Sequence, residues 1–258
     1  MEDSVNGIKL TWFDKLVRRS LDQKIKEHKH LRYCRSHNIN NIKLEGRYPF
    51  IPIIGCTEFF ASLFSIFNLV SHVYSYQCIL NQQTKQSFLL NKYNQIAILV
   101  WISSTLFHIN DITLTRYMDY FSAFLGILLT FYITIKETLF LYKCNAPQYL
   151  FITLVGIYVS HLYYMVFKNF DYAYNERICV IFIIGIYFMW GLIIYKLWPM
   201  LCAKYLFVYA LLVLFSLWIE YIDFPPILYL IDSHALYHLC TAIATPLYYC
   251  HFNHLTIQ

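Results

Sequence analysis

Charge is what this sequence has least of. Only 14% of its 258 residues are Asp, Glu, Lys or Arg, against 59% hydrophobic and 19% aromatic, a balance that excludes an ordinary soluble domain and leaves an integral membrane protein. The eight cysteines include no C-x-x-C pair, and most lie in apolar runs where a thiol behaves as a small hydrophobe, so they report little about redox compartment. No N-x-[ST] sequon occurs, so glycosylation cannot report which side a loop faces. The first ten residues lack an apolar core, and no secretory signal peptide is expected there. No internal repeat is found, which counts against a proton-coupled transporter built from duplicated halves.

The charge that is present lies unevenly. Residues 1–47 hold eleven Lys/Arg and six Asp/Glu, an excess equal to the whole chain's +5, and the nine of each sign beyond them cancel. Three regions are therefore expected: a basic polar tail over 1–47, a membrane unit over 48–252 and a short tail over 253–258.

A hydrocarbon core about 30 Å thick needs about 20 apolar residues in helical form. Seven segments approach this, at roughly 51–76, 95–109, 117–142, 149–167, 178–195, 205–221 and 227–249, the second short and the third long. The expected fold is all-α, a seven-transmembrane-helix bundle. Seven spans place the termini on opposite sides, and of the nine carboxylates after residue 47 only Glu137 then falls away from the N-terminal side. The other side carries mainly lysines: Lys85, Lys92, Lys143, Lys196 and Lys204. Basic residues in short connectors favour an N-terminus outside the cytosol, five against three, but counting the near tail reverses this to seven against five, so charge alone leaves orientation open.

The polar side gathers chemistry. His234 and His238 lie four apart and so share a helix face; Ser104 and His108 repeat the spacing at the end of the second segment, and Asp119 follows across a short connector. Three imidazoles with one open position form a recurring catalytic zinc arrangement, Asp119 could orient a ligand or take a proton, and Ser104 could donate to a developing oxyanion. Such a set suits hydrolysis of an ester or amide within lipid. The histidine pair alone would equally suit hydrogen-bonded packing; its coincidence with His108, Ser104 and Asp119 favours metal, since ionisable groups inside membranes are costly. Glu220, Asp223 and Asp232 are either supports for these ligands or solvated helix ends. His161 is expected to be a packing residue, and His251 and His254, on the far side, to be solvated.

The blocks GRYPF (46–50), WISSTLFHINDITLTRYMDYF (101–121), FDYAYN (170–175) and IEYIDFPPILYLIDSHALYH (219–238) resemble, in order and spacing, the post-GPI-attachment phospholipase family, within the CREST superfamily of alkaline ceramidases and adiponectin-type receptors. The S-x-x-x-H, following D and H-x-x-x-H set is shared across that superfamily, whereas FDYAYN and DFPP look specific to the GPI branch. The resemblance implies zinc ligands at His108, His234 and His238, with Asp119 and Ser104 as the assisting catalytic pair. It also implies removal of the sn-2 acyl chain from GPI phosphatidylinositol in the lumenal leaflet of the endoplasmic reticulum or Golgi. Partners are then GPI-anchored proteins with their lipid moiety and membrane lipids, not nucleic acid. Members of that family usually begin with a signal peptide and a cysteine-rich lumenal segment; here Tyr48 stands in place of Trp, Ala173 in place of Gly, and Arg116 where an acid is common. A ceramidase-like amide hydrolase and a seven-helix receptor are the alternatives the superfamily offers.

Overall fold

The computed structural model describes residues 8–44, 46–80 and 88–256. Lys85 and the last two residues of the expected C-terminal tail lie outside the described residues. Among the described residues the regular elements are helices, with only isolated bridges between extended residues.

Two short helices, α1 (Trp12–Leu16) and α2 (Leu21–Ser36), precede seven long ones: α3 (Phe59–Leu80), α4 (Phe88–Ile109), α5 (Thr113–Leu141), α6 (Leu150–Phe167), α7 (Tyr172–Leu197), α8 (Leu201–Ile222) and α9 (Ser233–Thr256). The long helices follow the seven expected segments in order. Four of them, α5 to α8, are long and apolar enough to cross a membrane by length and composition. Ile181, Ile184 and Phe188 on α7 and Leu211 and Phe215 on α8 lie exposed, an apolar surface that only lipid would cover. The chain is a membrane protein.

The other three long helices owe their lower hydropathy to what they point inward. On α3, Ser62, Ser65, Asn68, His72 and Ser75 recur every three or four residues, and each is buried, so they form one polar stripe. Asn68 donates to the carbonyl of His238 at 2.6 Å, Ser71 to that of Ala242 at 2.9 Å, and His72 Nδ1 lies 3.0 Å from the Tyr249 hydroxyl. In a medium without water each such group needs a protein partner, and α9 supplies those of Asn68, Ser71 and His72. Packing closes a ring in which α9 touches α3 and α8, α4 lies between α3 and α5, and α7 joins α5 to α8; α6 stands outside it against α5.

Several boundaries differ from the sequence expectation. The second segment, expected to be short, is a 22-residue helix, because α4 begins at Phe88. Residues 51–58 are not helical: Ile53 and Cys56 exchange backbone hydrogen bonds around a turn whose Gly55 sits at φ 83. A Cβ at Gly55 would lie 2.6 Å from the Phe13 ring of α1. The last helix starts at Ser233, since Pro226 and the left-handed Leu228 and Tyr229 (φ 53 and 61) fold 227–231 into a turn. It then runs to Thr256, beyond the expected boundary at 252. His251, expected to be solvated, is fully buried, with Nε2 2.6 Å from Glu137 Oε1 and Nδ1 2.9 Å from the Cys202 carbonyl; the one carboxylate on the far side thereby has its partner. His254 stacks on Tyr205, and His161 packs in the interior against Phe124 and Tyr174.

The basic first region folds back over the end of the bundle where α4 finishes. Thr11 caps α1 and Ser20 caps α2, each accepting from a backbone N–H three residues on. Arg19, buried between them and the bundle, donates to Asn110 Oδ1 (3.3 Å), the Ile109 carbonyl (3.1 Å), Asp14 (3.3 Å) and Thr57. Burial works to raise the Asp14 carboxyl, but hydrogen bonds from Lys24 and Thr11 outweigh it and hold the group at about 2, below its ordinary 3.8.

Removing one partner of a buried ion pair costs about 3–5 kcal/mol. Arg19→Ala is therefore expected to release α1 and α2 while the seven long helices persist, measured as faster hydrogen exchange over residues 8–37 alone. Because the folded carboxyl titrates below its unfolded value, Asp14 supports docking fully above about pH 4 and loses that support as pH falls from about 4 towards 2. Exchange protection of α1 that stays constant across this window would refute the assignment.

Candidate metal centre

The centre lies inside the ring at the end covered by α1 and α2, and local signals place each part. Asp232 accepts from the Ala235 N–H at 2.9 Å and so caps α9, which sets His234 in its first turn and His238 one turn deeper on the same face. His108 occupies the last turn of α4, and the backbone leading into α3 satisfies that helix end: Glu58 N–H donates to the His108 carbonyl at 3.2 Å and Thr57 N–H to that of Ile109 at 3.4 Å. The Glu58 carboxylate thereby lies beside the His108 ring. Helix α8 stops at Asp223 in a left-handed conformation, φ 48, placing Glu220 in its last turn beside His234.

The three imidazoles converge through Nε2. His234 Nε2 lies 3.3 Å from His108 Nε2 and 2.9 Å from His238 Nε2, and the three ligand atoms all fall within 4.8 Å of one another. Each Nδ1 faces an acceptor. His108 Nδ1 donates to Glu58 Oε2 at 2.6 Å, His234 Nδ1 to Glu220 Oε1 at 2.9 Å, and His238 Nδ1 lies 3.1 Å from Ser65 Oγ. The Ser65 hydroxyl hydrogen goes to the Ala61 carbonyl at 2.8 Å, so its oxygen accepts from His238 and from Ser104 Oγ, 3.1 Å away. All three rings therefore carry a proton on Nδ1 and point Nε2 at a common centre, where three neutral rings would present three lone pairs. Lone pairs so placed repel unless a cation lies between them. Tetrahedral zinc with bonds of about 2.0–2.1 Å to nitrogen would separate its ligand atoms by about 3.3 Å, close to the distances found. The donor set fits zinc, and the Nδ1 partners are the supports that metal-binding histidines require.

Around this cluster the electrostatics favour anionic supports. Burial works to raise Glu58, but Arg47 and the hydrogen bond with His108 outweigh it and hold the carboxyl at about 2. Burial also raises Asp232, to about 6, against the pull of His234. Arg47 Nε lies 3.4 Å from Glu58, and Arg47 Nη2 lies 3.0 Å from Asp111, which Arg116 also grips at 2.8 and 2.9 Å. Trp101 presses edge-on against His238, with ring centres 5.3 Å apart.

Of the five residues singled out from sequence, His108, His234 and His238 meet directly. Ser104, read from sequence as a donor to a developing oxyanion, is buried and reaches the cluster through Ser65 instead. Asp119 lies on α5 within electrostatic reach of His234, and among the described residues none donates a hydrogen bond to its carboxylate. Glu220 is a support rather than a solvated helix end; Asp232 is the cap of α9, and Asp223 ends α8 and pairs with Lys43 at 2.5 Å. Sequence reading placed Glu58 on this side without a role and missed Ser65 altogether. The signal was available in the spacing Glu58, Ser62, Ser65, Asn68, His72, which repeats a polar residue on one face of an otherwise apolar helix.

Comparison with known proteins identifies the family. The pattern of the Per1-like family matches residues 26–254. The chain is 29% identical over 230 residues to "Protein PER1 homolog" of Schizosaccharomyces pombe, covering 83% of this chain and 67% of that protein. It is 29% identical over 211 residues to "Post-GPI attachment to proteins factor 3" of Drosophila melanogaster, covering 79% and 64%. It is 28% identical over 219 residues to "GPI-specific phospholipase A2-like PGAP3" of Xenopus laevis, covering 83% and 68%. The chain thus spans about two thirds of the length of these relatives. No solved structure matches.

If the Nε2 triad holds zinc, purified protein should contain one metal per chain, and His234→Ala with His238→Ala should abolish it. Loss of a supporting carboxylate typically costs about 10–100-fold in metal affinity, so Glu58→Gln should weaken zinc by that factor in competition with a chromogenic chelator. Undiminished zinc in the double histidine variant would sink the ligand assignment.

Proposed function

The chain belongs to the Per1-like family, and from that membership and the convergent triad we propose a zinc-dependent membrane hydrolase that removes the sn-2 acyl chain of GPI-anchor phosphatidylinositol. The observation that carries the reading is the set of three Nε2 lone pairs aimed at one point, with each Nδ1 engaged by Glu58, Glu220 or Ser65. A zinc ion held by His108, His234 and His238 would supply a Lewis acid for an ester carbonyl and for the attacking water. A carbonyl in a ceramide amide would suit the same centre. The relatives bearing the words "GPI-specific phospholipase A2-like" favour the ester.

The chain's own residues do the rest. Glu58 and Glu220 fix the tautomer of His108 and His234, keeping their Nε2 electron pairs available. Asp119, half-buried with no protein donor on its carboxylate among the described residues, accepts the proton that the attacking water gives up. Ser104 assists from behind His238: its hydroxyl donates to Ser65, which orients the ring. In this reading all seven long helices cross the bilayer, although only α5 to α8 qualify by composition alone, and α3, α4 and α9 keep their polar faces inside the ring. The substrate ester approaches from the lumenal leaflet of the endoplasmic reticulum or Golgi, with the N-terminus and the centre on that side.

Removing the proton acceptor typically lowers turnover about 10²–10⁴-fold, so Asp119→Asn should abolish measurable deacylation while zinc content stays at one per chain. Lipid mass spectrometry of GPI anchors tests the substrate: cells lacking the protein, or carrying Asp119→Asn, should retain the original sn-2 chain that the intact protein removes. Identical acyl chains with and without the protein would overturn the reading.

A further inference from the structure

Between α1, α2 and the bundle lies a chamber of about 590 Å³, within the range of about 300–1,000 Å³ typical of ligand sites. On the hydrolase reading above, we propose that this chamber is the subsite for the anionic phosphodiester headgroup of the lipid whose acyl ester meets the histidine centre.

The charge arrangement carries the inference. Along the chamber wall Lys and Arg outnumber Asp and Glu five to three. Two of those carboxylates are each shared by two cations: Asp14 by Arg19 (3.3 Å) and Lys24 (2.5 Å), Asp111 by Arg47 (3.0 Å) and Arg116 (2.8 Å). One carboxylate neutralises one cation, so the Asp14 cluster keeps a positive surplus, whereas Glu58 balances the second cation of the Asp111 cluster. Arg47 Nη2 is buried at the wall and, although close to Asp111, makes no hydrogen bond there; His30 Nε2 is buried without a partner too. A phosphodiester brings one negative charge and acceptor oxygens for both kinds of group. A choline headgroup would bring a cation into a chamber that already holds an excess of them, whereas a neutral polyol adds only hydroxyls.

The chamber is also in the right place. Arg47 lies 3.4 Å from Glu58, and Glu58 lies 2.6 Å from His108, so its wall is two contacts from the centre. In a glycerophospholipid the sn-2 ester and the phosphate are only a few bonds apart. A headgroup subsite for such a substrate has to adjoin the ester site, and this chamber does.

The test uses the purified full-length protein in detergent, titrated calorimetrically with glycerophosphoinositol, glycerophosphocholine and inorganic phosphate. Glycerophosphoinositol is expected to bind about tenfold or more tighter than either of the others, and Lys24→Gln with Arg116→Gln to weaken it about tenfold or more, with zinc content unchanged. Phosphate bound as tightly as glycerophosphoinositol would reduce the chamber to a general anion site and overturn the proposal, as would equal binding of the choline compound or unaltered affinity in the double variant. Should that variant not fold, Lys24→Gln alone, at a side chain 25% exposed, must still weaken binding, and unchanged affinity there overturns the proposal. The two readings fail separately. Headgroup binding without acyl hydrolysis sinks the hydrolase, whereas hydrolysis of phosphatidylinositol and phosphatidylcholine at equal rates, untouched by the double variant, sinks the chamber.

Discussion

Imidazole nitrogens that aim lone pairs at one another from 2.9 and 3.3 Å repel, and much of this end of the bundle serves to hold them there. Three backbone features each contribute a constraint. Asp232 fixes where α9 begins, the backbone before α3 closes the end of α4, and the left-handed Asp223 stops α8 where Glu220 meets His234. None of these contacts touches a reacting atom. Each orients a ring, and a ring misplaced by one torsion would turn its lone pair away.

The same demand explains the architecture around it. A hydrocarbon environment tolerates polar groups only in the interior of the bundle, so the helices that carry the centre cannot be uniformly apolar. That is why α3, α4 and α9 adjoin one another in the ring, with the polar stripe of α3 facing α9 through Asn68, Ser71 and His72. The most apolar helices, α6, α7 and α8, hold the lipid-facing surface instead. Covering the centre with α1 and α2 adds a polar roof, anchored by one arginine with four partners.

Much of this was legible in sequence, and the parts that were not share a cause. His108, His234 and His238 could be found because spacing within helices and the sidedness of the loops are local properties, and local properties survive without a structure. Helix ends at 59 and 233 were misjudged by six to eight residues because Ile, Leu and Tyr in 51–58 and 227–232 look like membrane spans until backbone turns with positive φ are known. Ser65 was missed because a lone serine in an apolar helix bonds its own preceding turn more often than anything distant. Here it does both. The region over 1–47 read as a separate polar tail from its charge, yet Asp14, Arg19 and Cys34 are buried; composition cannot tell a free basic segment from one folded onto a surface that supplies acceptors.

Three histidine–glutamate pairs occur among the described residues, and the way they differ separates a ligand from a strut. His251 pairs with Glu137 through Nε2 and with the Cys202 carbonyl through Nδ1, so both of its nitrogens face acceptors and both carry protons. No electron pair is left to bind anything. His108 and His234 meet Glu58 and Glu220 through Nδ1 alone, and the nitrogen left over faces its counterparts rather than an acceptor. A carboxylate beside a buried histidine is therefore not in itself a sign of function in this fold. What distinguishes the centre is which nitrogen the carboxylate takes: Glu58 arrives from the turn before α3 and Glu220 from the last turn of α8, each meeting Nδ1, whereas Glu137 reaches Nε2 of His251 from α5, while a backbone carbonyl at the start of α8 occupies the other nitrogen.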